Sequence, residues 1–325
     1  MTADPVPAQM RTAAAALLTA LDSPARELAA RPFGDDGARR WLEYRPRPRP
    51  GACLADLDRA ARKAAHRLLA TGLSEHAYAQ AMTVLALEEV LDRREGWARG
   101  RHSDDYRVAV FGDPAGDEPW SWRFEGHHLS VSMTVAGDAV SPSPVFLGAN
   151  PARVGYAGRA VTRPLAPEED LARDLLEAIG PAGRAAAIVA DRAPADIRSG
   201  PRPRAAGPIE PLGLSSAGLG PTARALLGQL VGLYLDRLPP ELAAREAARL
   251  GELHFAWEGP TTPGTPHCYR VQGDDLLVEY DDTTDGNHQH TVLRRPRSDF
   301  GDDVLAAHLA GAHGAGAPGA GAPGV

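Results

Sequence analysis

The residues best suited to chemistry in this chain are histidines and carboxylates gathered in two segments. The first is Glu125-Gly-His127-His128. The second runs from His267 through Glu279-Tyr-Asp281 to Asn287-His288-Gln-His290. Imidazole and carboxylate are the usual protein ligands for zinc, iron and manganese. If His288-Gln-His290 lies in a strand, its two rings share a face, with Cα atoms roughly 6–7 Å apart. That separation lets both rings reach one ion. Glu279 and Asp281 share a face for the same reason. His127 and His128 are adjacent, so strand alternation sends them to opposite sides. The large apolar residues around them are Trp120, Trp122 and Phe124, then Leu129, Val131, Met133 and Val135. Their parity switches once near Gly126, which requires a bulge or a tight turn. Arg123, Glu125, His128, Ser130, Ser132 and Thr134 then fall on the polar side. His127 falls on the apolar side, where a hydrogen-bonded core histidine is the expectation.

The leading reading is a metal-dependent enzyme acting on a small molecule. Two or three of His128, His267, His288 and His290, with one carboxylate from Glu279 or Asp281, would hold a divalent zinc, iron or manganese ion. An open position on such an ion makes a bound water acidic enough to react near neutral pH. Glu125 is the candidate general base or acid. Arg123 or Arg270 would bind an anionic substrate group through paired donors. Two other readings use the same residues. One is a non-catalytic protein that binds a small ligand in a hydrogen-bonded pocket. The other is a metal-free enzyme in which His128 and Glu125 move a proton. All three need the two distant segments to meet in space.

Other motifs are weak or absent. The chain has no Cys-x-x-Cys pair, no His-Glu-x-x-His and no phosphate-binding loop ending in Gly-Lys-Ser/Thr. Gly218-Leu-Gly220-Pro-Thr-Ala223 fits a dinucleotide fingerprint by letters, but no strand precedes it. Gly213-Leu-Ser215-Ser-Ala217 lacks the strand-turn-helix setting of a nucleophile elbow.

These residues need a scaffold, and its periodicity changes along the chain. Residues 1–100 read as helical, with apolar stripes at Ala14, Leu17, Leu18 and Leu21 and at Leu54, Leu57, Ala61, Ala65 and Leu68. A third helix follows Ser74 as N-cap and covers Tyr78 to Leu91. Between the first two, Trp41-Leu-Glu-Tyr-Arg-Pro-Arg-Pro-Arg-Pro-Gly is an extended connector, because repeated prolines fix the backbone and remove donors. Residues 105–160 read as strands. Residues 165–250 return to helix, entered at Pro167 and stopped at Gly180, with a long loop over 192–220 and a new helix at Pro221. Residues 252–305 are again strands, with a hairpin at Gly273-Asp-Asp275. The expected architecture is one α+β domain over 1–310, a mainly antiparallel sheet packed by the N-terminal and middle helical regions. The Gly/Ala/Pro tail, 311–325, is expected to be disordered.

Composition sets outer bounds. Of 325 residues, 43% are hydrophobic and 24% charged, enough for a sizeable core. The net charge of -7 argues against nucleic acid and anionic membranes as partners. A small-molecule substrate or ligand remains the expected partner; the composition leaves the oligomeric state open. Only Cys53 and Cys268 could form a disulfide, and the first residues lack a basic start followed by an apolar run. A cytoplasmic location is the expectation.

Several stretches resemble a family known as domain of unknown function, family 3500. They are Ala109-Val-Phe-Gly-Asp-Pro114, Trp122-Arg-Phe-Glu-Gly-His-His-Leu-Ser130 and Phe146-Leu-Gly-Ala-Asn-Pro151. Further on stand Phe255-Ala-Trp257, His267-Cys-Tyr-Arg270, Glu279-Tyr-Asp281 with Thr283, Asn287-His288 with His290, and Asp299-Phe-Gly301. The region of Trp41 and Tyr44 is also similar. The likeness spans nearly the whole chain outside the tail. It departs at Cys268, where the family has an aromatic residue. The resemblance implies a shared architecture and no reaction.

Overall fold

Period-two alternation in the two β-rich regions yields long strands: β1 (Arg107–Phe111), β2 (Trp120–Gly126), β3 (Leu129–Ala136) and β4 (Val145–Ala149) from the first. From the second come β5 (His254–Glu258), β6 (His267–Gln272), β7 (Leu277–Asp282) and β8 (Gln289–Arg294). The computed structural model describes residues 4–205, 211–282 and 286–314. Thr283, one of the residues carrying the family resemblance, lies outside them. So does the tail from 315 onward, while 311–314 continue the backbone of the helix Asp302–Gly314.

The long strands lie side by side in the order β1-β2-β3-β4-β8-β7-β6-β5. Two antiparallel meanders, one from each β-rich region, thus meet edge to edge where β4 pairs with β8. Short strands at the margins bring the sheet to 13 strands among the described residues. The chain is therefore α+β with a mostly antiparallel sheet.

The two faces of this sheet differ sharply. Trp122, Phe124, Val131, Met133, Leu147 and Leu293 point to one side and are buried. Tyr280, Val278, Tyr269, Val271 and Trp257 continue that side across the second meander. Helices cover it: α1 (Val6–Ala20), α2 (Arg59–Gly72), α3 (Glu75–Arg94), α4 (Ala166–Ala178) and α5 (Pro221–Leu235). Their apolar stripes and the sheet residues form one continuous core, in which each large side chain contributes about 2–3 kcal/mol by leaving water. Ser74 caps α3 by accepting from the Ala77 amide, as its position suggested. The stripe that began at Leu54 is broken: Leu54–Asp56 form a short 3-10 turn and α2 starts only after Asp58, whose side chain caps it.

The opposite face is polar, and irregular segments cover it. Burying charge there requires partners. The extended connector supplies some of them: the Glu43 amide donates to Glu125 Oε2 at 3.1 Å, and the His128 amide donates to the Tyr44 carbonyl at 3.0 Å. Among the described residues no helix is long and apolar enough to cross a membrane.

Candidate metal centre

The parity switch near Gly126 is a tight turn. Gly126 pairs with Leu129, and His127 and His128 are the two turn residues between β2 and β3. His128 adopts φ +62°, a left-handed conformation in which histidine is one of the commoner non-glycine residues. Gly126 admits no side chain, because a Cβ would lie 2.1 Å from the Tyr106 ring.

This turn sits at the end of a row of residues running across the polar face. The Gly148 amide donates to the His128 carbonyl at 2.7 Å. Gly148 pairs with His290, His290 with Asp281, and Asp281 with Cys268. His288 precedes β8 by one residue, so period two places it on the same face as His290. Gly148 is the gap in the row, and the rings of His128 and His290 close over it. A Cβ at 148 would stand 2.8 Å from His128 Cδ2 and 3.1 Å from His290 Cδ2.

The consequence is a convergence of three ring nitrogens. His128 Nε2 lies 2.8 Å from His288 Nε2, which lies 3.0 Å from His290 Nε2. The ring planes meet at 89° and 80°, so the nitrogens face one another edge on. A ring nitrogen carries either one hydrogen or one lone pair. The Nε2 of His288 therefore cannot satisfy both neighbours by hydrogen bonding. A cation can satisfy all three. Nitrogens bound to a tetrahedral zinc ion at about 2.0–2.1 Å stand about 3.3 Å apart, a few tenths of an ångström wider than these two separations, and ligand atoms of all three rings lie within 4.8 Å of one another.

Carboxylates hold the rings from behind. His290 Nδ1 donates to Asp196 Oδ1 at 3.0 Å and to Asp281 Oδ2 at 3.2 Å. Asp196 Oδ2 accepts from the Tyr44 hydroxyl at 2.7 Å, and the Tyr44 ring stacks on Phe146. The His127 ring lies 3.7 Å from that of His128, and its Nδ1 donates to Glu88 Oε1 at 2.6 Å. Arg101 Nη1 stands 3.1 Å from the same His127 nitrogen. Outer carboxylates of this kind fix the orientation and tautomer of metal-ligating histidines.

The electrostatics follow from burial and these partners. Burial, reinforced by the neighbouring imidazoles, holds His128 well below the usual histidine range and His288 down to about 3. Burial acts the same way on His290, but the carboxylates of Asp281 and Asp196 outweigh it and push this group up to about 9. Burial thus favours neutral rings at His128 and His288, whereas the carboxylates favour the charged form of His290.

The structure separates the residues named from the sequence. His128, His288 and His290 converge. Asp281 touches the cluster, but at the Nδ1 edge of His290, away from the three Nε2 atoms. Glu125, Glu279 and Arg270 fall in the next row along the face, with Ser130, Phe146 and Val292. Glu125 Oε2 accepts from the Ser130 hydroxyl, and Arg49 and Arg123 lie 3.7 and 3.8 Å from Oε1. Arg123 also donates to the carbonyl of Ala38, in the short helix Asp36–Arg39 that precedes the connector. Glu279 accepts from the amides of Arg198 and Ser199. Arg270 pairs with Glu279, and the strand spacing puts it about 12 Å from His290.

His267 is on the other face. It pairs with Asp282, one residue beyond Asp281. Its ring stacks on Trp257 at 4.8 Å, and its Nδ1 donates to the Thr265 carbonyl. It is a core histidine, the role expected of His127, and His127 in turn joins the polar cluster. The turn geometry explains the place of His127, since the two turn residues escape strand alternation. Burial lowers His267 to about 4. An unfolded histidine binds its proton near 6.5. The stabilisation from a neutral His267 is complete above that value and is lost as pH falls toward 4. We expect a loss of about 3 kcal/mol over that window from this group. Urea midpoints of His267→Gln should fall less steeply with acid than those of the parent, and its metal content should be unchanged.

Glu88, Asp196, Tyr44 and Gly148 had no assigned role in the sequence. Glu88 did leave a signal: it sits on the stripe Ala77, Ala81, Val84 and Leu91 of α3, an acid among buried apolar residues. Asp196 lies in the loop after β-strand Ile188–Ala190 and left none.

The sequence profile of a family described as protein of unknown function (DUF3500) matches residues 4–302 of the chain. No curated protein and no solved structure matches it significantly.

Proposed function

Because the chain belongs to the DUF3500 family of proteins of unknown function, its activity has to be read from its own site, and we propose a metal-dependent enzyme acting on a small molecule. His128, His288 and His290 are the ligands, each through Nε2. The observation that carries this reading is the meeting of three imidazole nitrogens that hydrogen bonding cannot satisfy together.

Three histidines leave a position open, which is the arrangement of catalytic rather than structural zinc sites. Among the described residues no fourth side chain joins the three. A divalent ion held there would supply Lewis acidity and lower the pKa of a water in the open position. Asp281 and Asp196 fix the His290 ring. Glu88 and His127, packed against His128, take the acid-base role that the sequence suggested for Glu125, because Glu125 lies in the next row along the face, buried under the connector.

Titration of the metal-free protein with cobalt(II) tests the ligand set. One equivalent should give the intense visible bands of a tetrahedral site, and 4-nitrophenyl acetate should be hydrolysed in proportion to the metal bound. The faint spectrum of hexaaqua cobalt throughout the titration would overturn the ligand assignment. Tetrahedral binding without metal-dependent turnover would favour a ligand-binding protein. Asp281→Asn keeps the shape but weakens the support of His290, and metal affinity should fall about 10–100-fold by competition with a chromophoric chelator.

A further inference from the structure

A cavity is lined in part by the His127 ring. Its volume is about 580 Å³, and its wall carries Arg47, Arg49, Arg99, Arg101 and Arg107. Two carboxylates, Glu88 and Asp105, and His127 also line it, so the arginines outnumber the acids five to two. This is a local reversal of sign in a chain whose net charge is -7. Arg99 and Arg101 are partly neutralised by Glu95. Arg49 is buried and stands 3.7 Å from its carboxylate neighbour, Glu125. Arg47 and Arg107 form no ion pair with a carboxylate among the described residues; the one side-chain bond of Arg107 is to the Gly51 carbonyl.

The cavity is also tied to the histidine cluster. Part of its wall is the strap Pro46-Arg-Pro-Arg49, whose fold is locked by Arg49 donating to the Glu43 carbonyl. The neighbouring Tyr44 carbonyl accepts from the His128 amide, and the Tyr44 hydroxyl holds Asp196. The strap that carries Arg47 and Arg49 thus also orients two of the three proposed ligands.

We propose that this cavity binds the oxyanion group of a small molecule, a carboxylate or a phosphate. Guanidinium groups recognise both through paired donors. The molecule's reactive end then lies toward His127, Glu88 and the metal ligands. That last placement rests on the metal-enzyme reading; the anion site itself does not.

The test is calorimetric titration of the full chain with succinate and with inorganic phosphate at low ionic strength. At least one should bind with one-to-one stoichiometry. Arg47→Ala/Arg107→Ala should weaken it at least about ten-fold without changing metal content. Arg47→Glu, at an exposed position, should do the same should the double variant fail to fold. His288→Ala/His290→Ala should lose metal and keep the anion. No binding of either probe to the wild type would overturn the proposal. So would equal binding by the arginine variants, or binding lost only with the two histidines, which would place the anion on the metal.

Discussion

Alanine at both His288 and His290 should leave a folded protein that no longer retains stoichiometric metal. Loss of a single outer partner already lowers metal affinity about 10–100-fold, and this variant removes two of three ligands. The expected fall is therefore well beyond about 100-fold. The fold should survive because the two rings sit at the start of β8, outside the apolar core. Removing His290 strips Asp281 of a partner, at a cost of about 1–3 kcal/mol. Circular dichroism and urea unfolding check the fold, and elemental analysis checks the metal. Undiminished metal in a folded double variant would refute the ligand assignment.

Gly148→Ala should be nearly as damaging to the metal while adding a single methyl group. The new Cβ meets the Gln289 carbonyl oxygen and His128 Cδ2, each at 2.8 Å, and His290 Cδ2 at 3.1 Å. Backbone on one side and two rings on the other leave it no slack. The two rings must be displaced from the positions that bring their nitrogens together. We expect a loss of about 1–3 kcal/mol in stability from overpacking and at least about 10-fold in metal affinity. Ala149, one residue on, is the control: Ala149→Gly should lower stability and leave metal affinity unchanged.

The polar row was half legible in the sequence. His288-Gln-His290 could be read because period two needs no long-range information. The turn itself followed from the parity switch of the apolar residues across Gly126, but the sides its two histidines take did not. His127 was misplaced because a two-residue turn frees its residues from alternation. His267 was misplaced for a different reason. Its face relative to Asp281 depends on the β6–β7 register, which the turn 273–276 sets, and one residue more or less in that turn would have reversed it.

The order helix, meander, helix, meander was visible in the periodicity, but the edge at which the meanders meet was not. The β4–β8 pairing joins segments more than a hundred residues apart, and that pairing creates the site by setting Gly148 beside His290. Asp196 reaches His290 from an irregular loop, where no periodicity reports the direction of a side chain.

Elemental analysis of protein purified without an affinity tag or chelator tests the central claim most directly. The account predicts about one equivalent of zinc, iron or manganese per chain, the stoichiometry of a single His128–His288–His290 site. A chain that stays metal-free after purification, and after incubation with each ion, would contradict it.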